Sequence, residues 1–401
     1  LEFSSIAGIK HNDAMKENAL KKLGLYLHIP FCIKKCLYCD FLSFEDSSTE
    51  MQNRYMKMLV NEVVLKGNLY RKDYIVDTIF IGGGTPSLID EAFIVALMAA
   101  IKASFNVVED AEITIESNPK TLTKNKLEAY IKSGVNRISI GAQSMDDNCL
   151  KQLGRIHTSE DFVENFNVAR DSGFKNINID LMFAIPEQSI EIWKKSLEAA
   201  ISMQPEHISF YSLQIEEETP YFEMFKKGEL NQTVDEVDRN MYHLGIDILK
   251  EAGYYHYEIS NAAKPGYECR HNLKYWSFDD YLGIGLGSHS FINGRRSSNT
   301  KDIKSYMEKC SNDQNPEDWH HENTQKDSIS EYVFTGLRKT DGIDLCEFRK
   351  RFGMPIEVYY KEQWLNINKF INDDYLIMRN DKLFLTEKGI DISNAIFVEL
   401  V

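Results

Sequence analysis

A chain of 401 residues with 43% hydrophobic and 27% charged residues is composed like a soluble globular protein, rich enough in apolar side chains to bury a sizeable core. Its formal net charge of −15 and pI near 5.2 speak against a nucleic-acid partner, because phosphate neutralisation asks for a basic surface. No run approaches the roughly 18 apolar residues of a membrane span, no signal-peptide hydrophobic region opens the chain, and seven cysteines are an odd number for a disulfide framework. A cytoplasmic, reducing setting with one metal site is the expectation.

Leu1 does not read as a natural start. Residues 1–14 are set aside as a non-native or disordered leader, and Met15 reads as the start. Short β-rich runs then alternate with helical-length segments. Strands are predicted over Leu25–Ile29, Thr78–Gly82, Glu112–Glu116, Arg137–Gly141, Asn176–Met182 and His207–Leu213. Apolar residues at helical spacing predict helices over Thr49–Leu69, Glu91–Phe105, Lys124–Ser133, Ser159–Ser172 and Ile190–Met203. Gly134 and Gly173 follow two of these, where a left-handed C-terminal cap is wanted. Six strands alternating with helices predict an α/β fold with a mostly parallel sheet, short of the eight strands of a closed barrel and so a partial (β/α)6 barrel.

Further along, Asp235–Lys250 reads as a helix and Tyr254–Ile259 as a strand. The polar stretch 298–324 reads as a linker. Beyond it, Ile329–Arg338, Leu345–Phe352 and Ile356–Ile371 read as helices, and Tyr375–Arg379 with Lys382–Thr386 as a hairpin turning at Asn380–Asp381. The expected units are a barrel domain over 15–297, the linker, and a small C-terminal helical, winged-helix-like domain over 325–401. That last unit carries no basic excess, so DNA binding is not expected of it.

Chemistry-bearing residues gather at the predicted C-terminal ends of the strands, where barrels carry their sites: His28, Gly82–Thr85, Glu116, Gln143, Asp180 and Tyr211. Cys32, Cys36 and Cys39 follow the first strand with C-x3-C-x2-C spacing. Thiolates so spaced can converge on one iron–sulfur cube and leave one iron without a protein thiolate. The competing reading is a zinc site, which would need a fourth ligand from Cys269 or His271. The run Gly82-Gly83-Gly84-Thr85-Pro86 lets a ligand approach the backbone closely, although a glycine run alone is equally a tight turn. Glu116, Gln143, Arg155 and Asp180, each unremarked by itself, can together meet a ribose, a carboxylate and an adenine.

The cysteine loop resembles that of the radical S-adenosylmethionine superfamily. The blocks Tyr26-Leu-His28-Ile-Pro-Phe-Cys32, GGGTP at 82–86, ESNP at 116–119, GAQS at 141–144, LGRxH at 153–157 and IDLM at 179–182 occur in this order in the oxygen-independent coproporphyrinogen III oxidase group. The resemblance runs from about Leu25 to about Leu286 and continues more weakly beyond. It implies a [4Fe–4S] cluster on Cys32, Cys36 and Cys39, and S-adenosylmethionine in contact with Tyr26, Tyr38, Gly83, Gly84, Thr85, Glu116, Gln143, Arg155 and Asp180. Ala184 and Ser189 stand where the group more often shows glycine and threonine.

Within that group the chain resembles the HemW-type heme chaperones more than the oxidases. The oxidases carry a fourth cysteine where this chain has Phe41, and a longer N-terminal segment than the ten residues between Met15 and the first strand. His271-Asn-x-x-Tyr275-Trp276 matches the H-N-x-x-Y-W block of the HemW type. The resemblance implies heme binding, with His271, Tyr275 and Trp276 as candidates for heme contact; the alternative is a histidine bonded within a loop beside packed aromatics. His289, at the end of a glycine-rich block, and Cys269 are second-rank candidates. It further implies transfer of heme to hemoproteins of the respiratory chain, a peripheral meeting with the membrane and a homodimer. Oxidative decarboxylation of coproporphyrinogen III, and radical chemistry on another substrate, stand as the alternatives.

Overall fold

The computed structural model describes residues 20–45 and 47–400; the leader over 1–14 and the start at Met15 lie outside them. Six parallel strands form the centre, in chain order: β1 (Lys21–Ile29), α1 (Thr49–Tyr70), β2 (Tyr74–Gly83), α2 (Glu91–Ser104), β3 (Val107–Ser117), α3 (Lys124–Ser133), β4 (Arg137–Gln143), α4 (Asp147–Gln152), α5 (Ser159–Asp171), β5 (Ile177–Phe183), α6 (Ile190–Ser202) and β6 (His207–Ser212). Each neighbours the next in sequence, the arrangement a right-handed βα repeat produces. All six predicted strands and five helices are present, with ends moved by a few residues. The helix starts follow local chemistry: Ser48, Asp90, Thr123, Thr158 and Ser189 each accept a backbone N–H of their first turn.

The period-two pattern of the strands sorts the two sheet faces. Leu25, Leu27, Ile79, Ile81, Ile113, Ile115, Ile138, Ile140, Ile177, Ile179, Ile208 and Phe210 are all buried, and they face the helices. Their alternates, among them Tyr26, Phe80, Glu116, Ser139, Asp180 and Ser209, face the barrel interior. That interior is polar, so its groups must be partnered within the protein or by a ligand.

The chain continues with α7 (Pro220–Lys226), α8 (Asp235–Glu251), β7 (Tyr255–Glu258), β8 (Asn261–Ala263), α9 (Arg270–Trp276), β9 (Tyr281–Ile284), β10 (His289–Ile292), β11 (Arg295–Asn299), α10 (Ile303–Ser311) and β12 (Glu317–Glu322). These strands extend both edges of the six, giving the order β12-β11-β10-β9-β1-β2-β3-β4-β5-β6-β8-β7 among the described residues. The 298–324 stretch is therefore not a linker. Its apolar residues are few, but Tyr306, Met307 and Cys310 are spaced to bury one face of α10 against α1. Buried Glu62 of α1 accepts from Tyr306 Oη, Asn299 Nδ2 and the Gly285 N–H, tying the extension to the barrel.

The C-terminal part comprises α11 (Gln325–Gly336), β13 (Ile343–Asp344), α12 (Leu345–Phe352), α13 (Ile356–Tyr359), α14 (Trp364–Asn372), β14 (Leu376–Arg379), β15 (Lys382–Leu385), α15 (Glu387–Asp391) and α16 (Ser393–Glu399). The order of its helices and its three-stranded sheet, β13-β15-β14, is that of a winged helix. The hairpin turns at Asn380 and Asp381, both with positive φ, as a type I′ turn requires. The helix expected over Ile356–Ile371 is instead two, broken at Tyr360–Gln363, where Tyr360 turns inward to bond the Leu400 carbonyl.

The N-terminal ends of the barrel strands are closed by the segment around α9. Glu112 accepts from the backbone N–H groups of Arg270 and His271, one on each oxygen, and Cys269 Sγ lies 3.6 Å from the oxygen that accepts from His271. His271 sits inside the floor, 1% exposed, its ring stacked on Phe80 at 5.3 Å. Its Nδ1 bonds Thr78 Oγ1 and its Nε2 bonds Tyr275 Oη, both at 2.9 Å. Burial, with Lys274 and Arg137 nearby, pushes its pKa down to about 3, so the ring is neutral. His271→Ala leaves a cavity and two buried hydroxyls without their partner. It is expected to lower unfolding free energy by roughly 2–4 kcal/mol, and urea denaturation that matches the wild type would contradict this role.

Candidate functional site

The cysteine loop leaves the C-terminal end of β1 and returns at once. Cys32 N–H donates to the Phe44 carbonyl at 2.9 Å and Phe44 N–H to the Pro30 carbonyl at 2.7 Å. The glycine turn after β2 is bound to the same loop: Gly84 N–H donates to the Ile29 carbonyl and Thr85 N–H to the Phe31 carbonyl. A Cβ at Gly84 would lie 2.7 Å from the Phe31 carbonyl oxygen, so a side chain there would push the two loops apart. Gly83 has φ of +117° and donates its N–H to Glu116 Oε2 at 3.0 Å.

Arg155 links the cysteine loop to the strand ends. One guanidinium nitrogen lies 3.4 Å from Cys36 Sγ, and the other donates to Asn118 Oδ1 at 2.5 Å and to the Gly141 carbonyl at 2.8 Å. Asn118 Nδ2 donates in turn to Thr85 Oγ1 at 2.8 Å, and Thr85 Oγ1 approaches Cys32 Sγ at 3.6 Å. Asp180 is held by Ser139 Oγ at 2.8 Å and Asn178 Nδ2 at 2.7 Å. Burial, reinforced by Asp180, pushes Glu116 up to about 7. Burial raises Asp180 as well, against the hydrogen bonds it accepts.

These groups surround one cavity of about 430 Å³. Cys32, Cys36, Cys39, Tyr38, Gly83, Gly84, Glu116, Gln143, Arg155 and Asp180 all line it. Tyr26 and Thr85, expected with them, do not. Tyr26 Oη bonds His28 Nδ1 at 2.9 Å, and His28 Nε2 donates to the Leu42 carbonyl at 2.8 Å, so Tyr26 acts by fixing the loop's return. Thr85 acts through Asn118 and Cys32. Asn118, read in the sequence only as part of a strand-ending block, proves to bridge Thr85 to Arg155. Gln214 and Glu216 also line the cavity; they follow β6, and position at a strand end was the one signal that could have found them.

The donor set fits an iron–sulfur cube better than a single zinc ion. Among the described residues no three His, Cys, Asp or Glu side chains converge closely enough to share one metal ion, whereas each thiolate of a cube binds a different iron and stands apart from the others. Cys269 and His271, the proposed fourth zinc ligands, belong to the barrel floor, at the opposite strand ends from the loop. The expectation that His271 offers a nitrogen to heme iron is likewise corrected, because both nitrogens are engaged in a buried network. Tyr275 is the hydroxyl partner of that network. Trp276 lies under the Arg338 guanidinium at 4.4 Å, between the floor and the C-terminal part.

Comparison with known proteins agrees with this geometry. Residues 26–200 match the radical SAM superfamily and residues 323–392 the HemN C-terminal domain. Heme chaperone HemW of Bacillus subtilis (strain 168) is 35% identical over 377 residues, covering 93% of this chain and 97% of that protein. Heme chaperone HemW of Escherichia coli (strain K12) is 40% identical over 294 residues, 72% of this chain and 76% of its own. Coproporphyrinogen III oxidase (HemN) from Escherichia coli, a radical SAM enzyme, superposes with a TM-score of 0.85 at 23% identity, covering 95% of this chain and 90% of that one; it shares the fold. Membership of the superfamily implies a [4Fe–4S] cluster and S-adenosylmethionine. With a cysteine-loop barrel, a winged C-terminal part and HemW relatives matched at 35–40% identity over 76–97% of their length, the chain belongs to the HemW family of the radical SAM superfamily.

Proposed function

We propose that this protein binds heme and delivers it to acceptor hemoproteins, holding a [4Fe–4S] cluster on Cys32, Cys36 and Cys39 and S-adenosylmethionine in the adjoining cavity. The observation that carries the reading is the 35% identity over 93% of the chain to a protein named as a heme chaperone. Phe41 adds to it. This residue stands where the oxidases carry a fourth cysteine, is 61% exposed and lines the cavity, so an apolar ring replaces a thiol beside the cluster loop. The acceptors in this reading are respiratory-chain hemoproteins, met at the membrane surface, with two copies of the chain acting together. No helix among the described residues is long and apolar enough to cross a membrane.

In this reading the amino and carboxylate groups of S-adenosylmethionine would chelate the cluster iron that has no cysteine ligand. Arg155 would meet the ligand's carboxylate, while Glu116 and Asp180 would accept from its amino group or ribose hydroxyls. Gly83 and Gly84 would let the ligand approach the backbone. Anaerobic reconstitution of Cys32→Ala, Cys36→Ala and Cys39→Ala is expected to give protein without cluster iron, while Cys149→Ala and Cys346→Ser keep the wild-type content. Iron loss in either of the last two would break the three-cysteine assignment.

Glu116 is charged only as pH rises through about 7, and its carboxylate is the form that accepts most strongly from the ligand's amino group or ribose hydroxyls. Affinity for S-adenosylmethionine should therefore rise by up to about tenfold between pH 6 and 8, following the ionised fraction. It should be flat across that range in Glu116→Gln. Calorimetry finding no pH dependence in the wild type would remove Glu116 from the ligand's contacts.

The functional test is direct. Reduced, reconstituted protein is expected to take up heme in a spectrophotometric titration and to pass it to an apo-hemoprotein. With coproporphyrinogen III, reductant and S-adenosylmethionine it should form no protoporphyrinogen. Product in that assay would mark an oxidase instead.

A further inference from the structure

We propose that heme is held on the face of β10, β11 and β12 that carries His289 and Trp319, with His289 as axial ligand to the iron and Trp319 as the wall against which the macrocycle lies. This rests on the heme-binding reading above and gives it a place that His271 cannot supply.

Strand register carries the argument. Tyr26 of β1 pairs with Gly283 of β9, Phe291 of β10 pairs with Tyr281 of β9, and the His289 backbone lies over Gly283, where a Cβ would meet its carbonyl. His289 then pairs with Ser298 of β11, and Ser298 with Trp319 of β12. Directly opposed residues project from the same side of a sheet. His289, Ser298 and Trp319 thus form one row on one face of β10, β11 and β12. The next row along that face is closed: Phe291 is buried beneath Arg296, whose guanidinium lies 4.8 Å from its ring centroid and pairs with Glu331 of α11. Among the described residues no cation–π contact or ion pair of that kind lies over the row of His289, Ser298 and Trp319.

The two end residues have the chemistry a heme needs. His28, His207 and His271 have both ring nitrogens bonded, but His289 is exposed and its ring bonds no other described residue. Its partial burial, then the cations Lys301 and Arg296, hold its pKa below the usual value, which keeps the imidazole neutral with a lone pair for iron. Lys301 also offers a cation for a propionate. Trp319 is 48% exposed in a strand whose other members, Glu317, Asp318, His320, His321 and Glu322, are polar. An indole there contributes little to the core, and its face suits a flat aromatic ligand.

The test titrates the intact, cluster-reconstituted chain with heme and, in parallel, with iron-free protoporphyrin IX. His289→Ala should abolish the ligation-dependent Soret shift and weaken heme at least about tenfold, while leaving protoporphyrin affinity unchanged; added imidazole should restore the shift. Trp319→Ala should weaken both tetrapyrroles about fivefold or more, as loss of an aromatic stacking partner does. Unaltered S-adenosylmethionine affinity in both variants shows that the barrel is intact. A wild type that binds no heme would bring down the proposed function together with this site. A wild type that binds heme, with both variants matching it in spectrum and affinity, would overturn this site alone and leave heme binding standing.

Discussion

The contact between the backbones of Gly84 and Phe31 is the constraint on which the rim depends. Because Gly84 has no Cβ, the turn after β2 can lie against the loop that follows β1 and bond its carbonyls through two successive amides. That contact sets where Cys32 begins its loop and where Thr85 stands beneath it. Asn118, Arg155 and Gly141 then carry the same register across to β3 and β4. A change at this contact would shift the cysteines, the glycine turn and the guanidinium together.

The barrel's two ends solve opposite problems with similar residues. Both are polar, and polar groups taken out of water need partners. At the floor the partners come from the chain: Glu112, Thr78, Tyr275 and Tyr257 satisfy the amides of α9 and the rings of His271 and His207. At the rim Glu116 and Asp180 border a cavity, and burial raises the proton affinity of both. A floor closed by α9 holds the strands in register, while an open rim with buried carboxylates bordering a cavity suits a polar, cationic cofactor.

Much of the centre was legible in the sequence. Alternation in the strands, apolar spacing in the helices and capping residues at their starts are local signals, and each element they predict is present. The cysteine loop and the glycine turn were equally plain, because their spacing is itself the chemistry. The stretch 298–324 was misread, since a helix that buries only Tyr306, Met307 and Cys310 on one face looks polar in sequence. The break at Tyr360–Gln363 escaped notice for a related reason: it depends on Tyr360 reaching Leu400, forty positions away.

By itself, then, the sequence determined the six βα units, the three-thiolate loop, the glycine turn and the polar strand ends, all of which are written in residues a few positions apart. Tertiary structure alone decided which polar residues face one another. Thr78 and His271 are separated by 193 positions, and only their meeting shows that this imidazole has no nitrogen to spare. His289 and Trp319 share a face only because β10, β11 and β12 pair with Ser298 between them. A histidine's availability is a property of its neighbours in space, and those are set by strand pairing that no local pattern encodes.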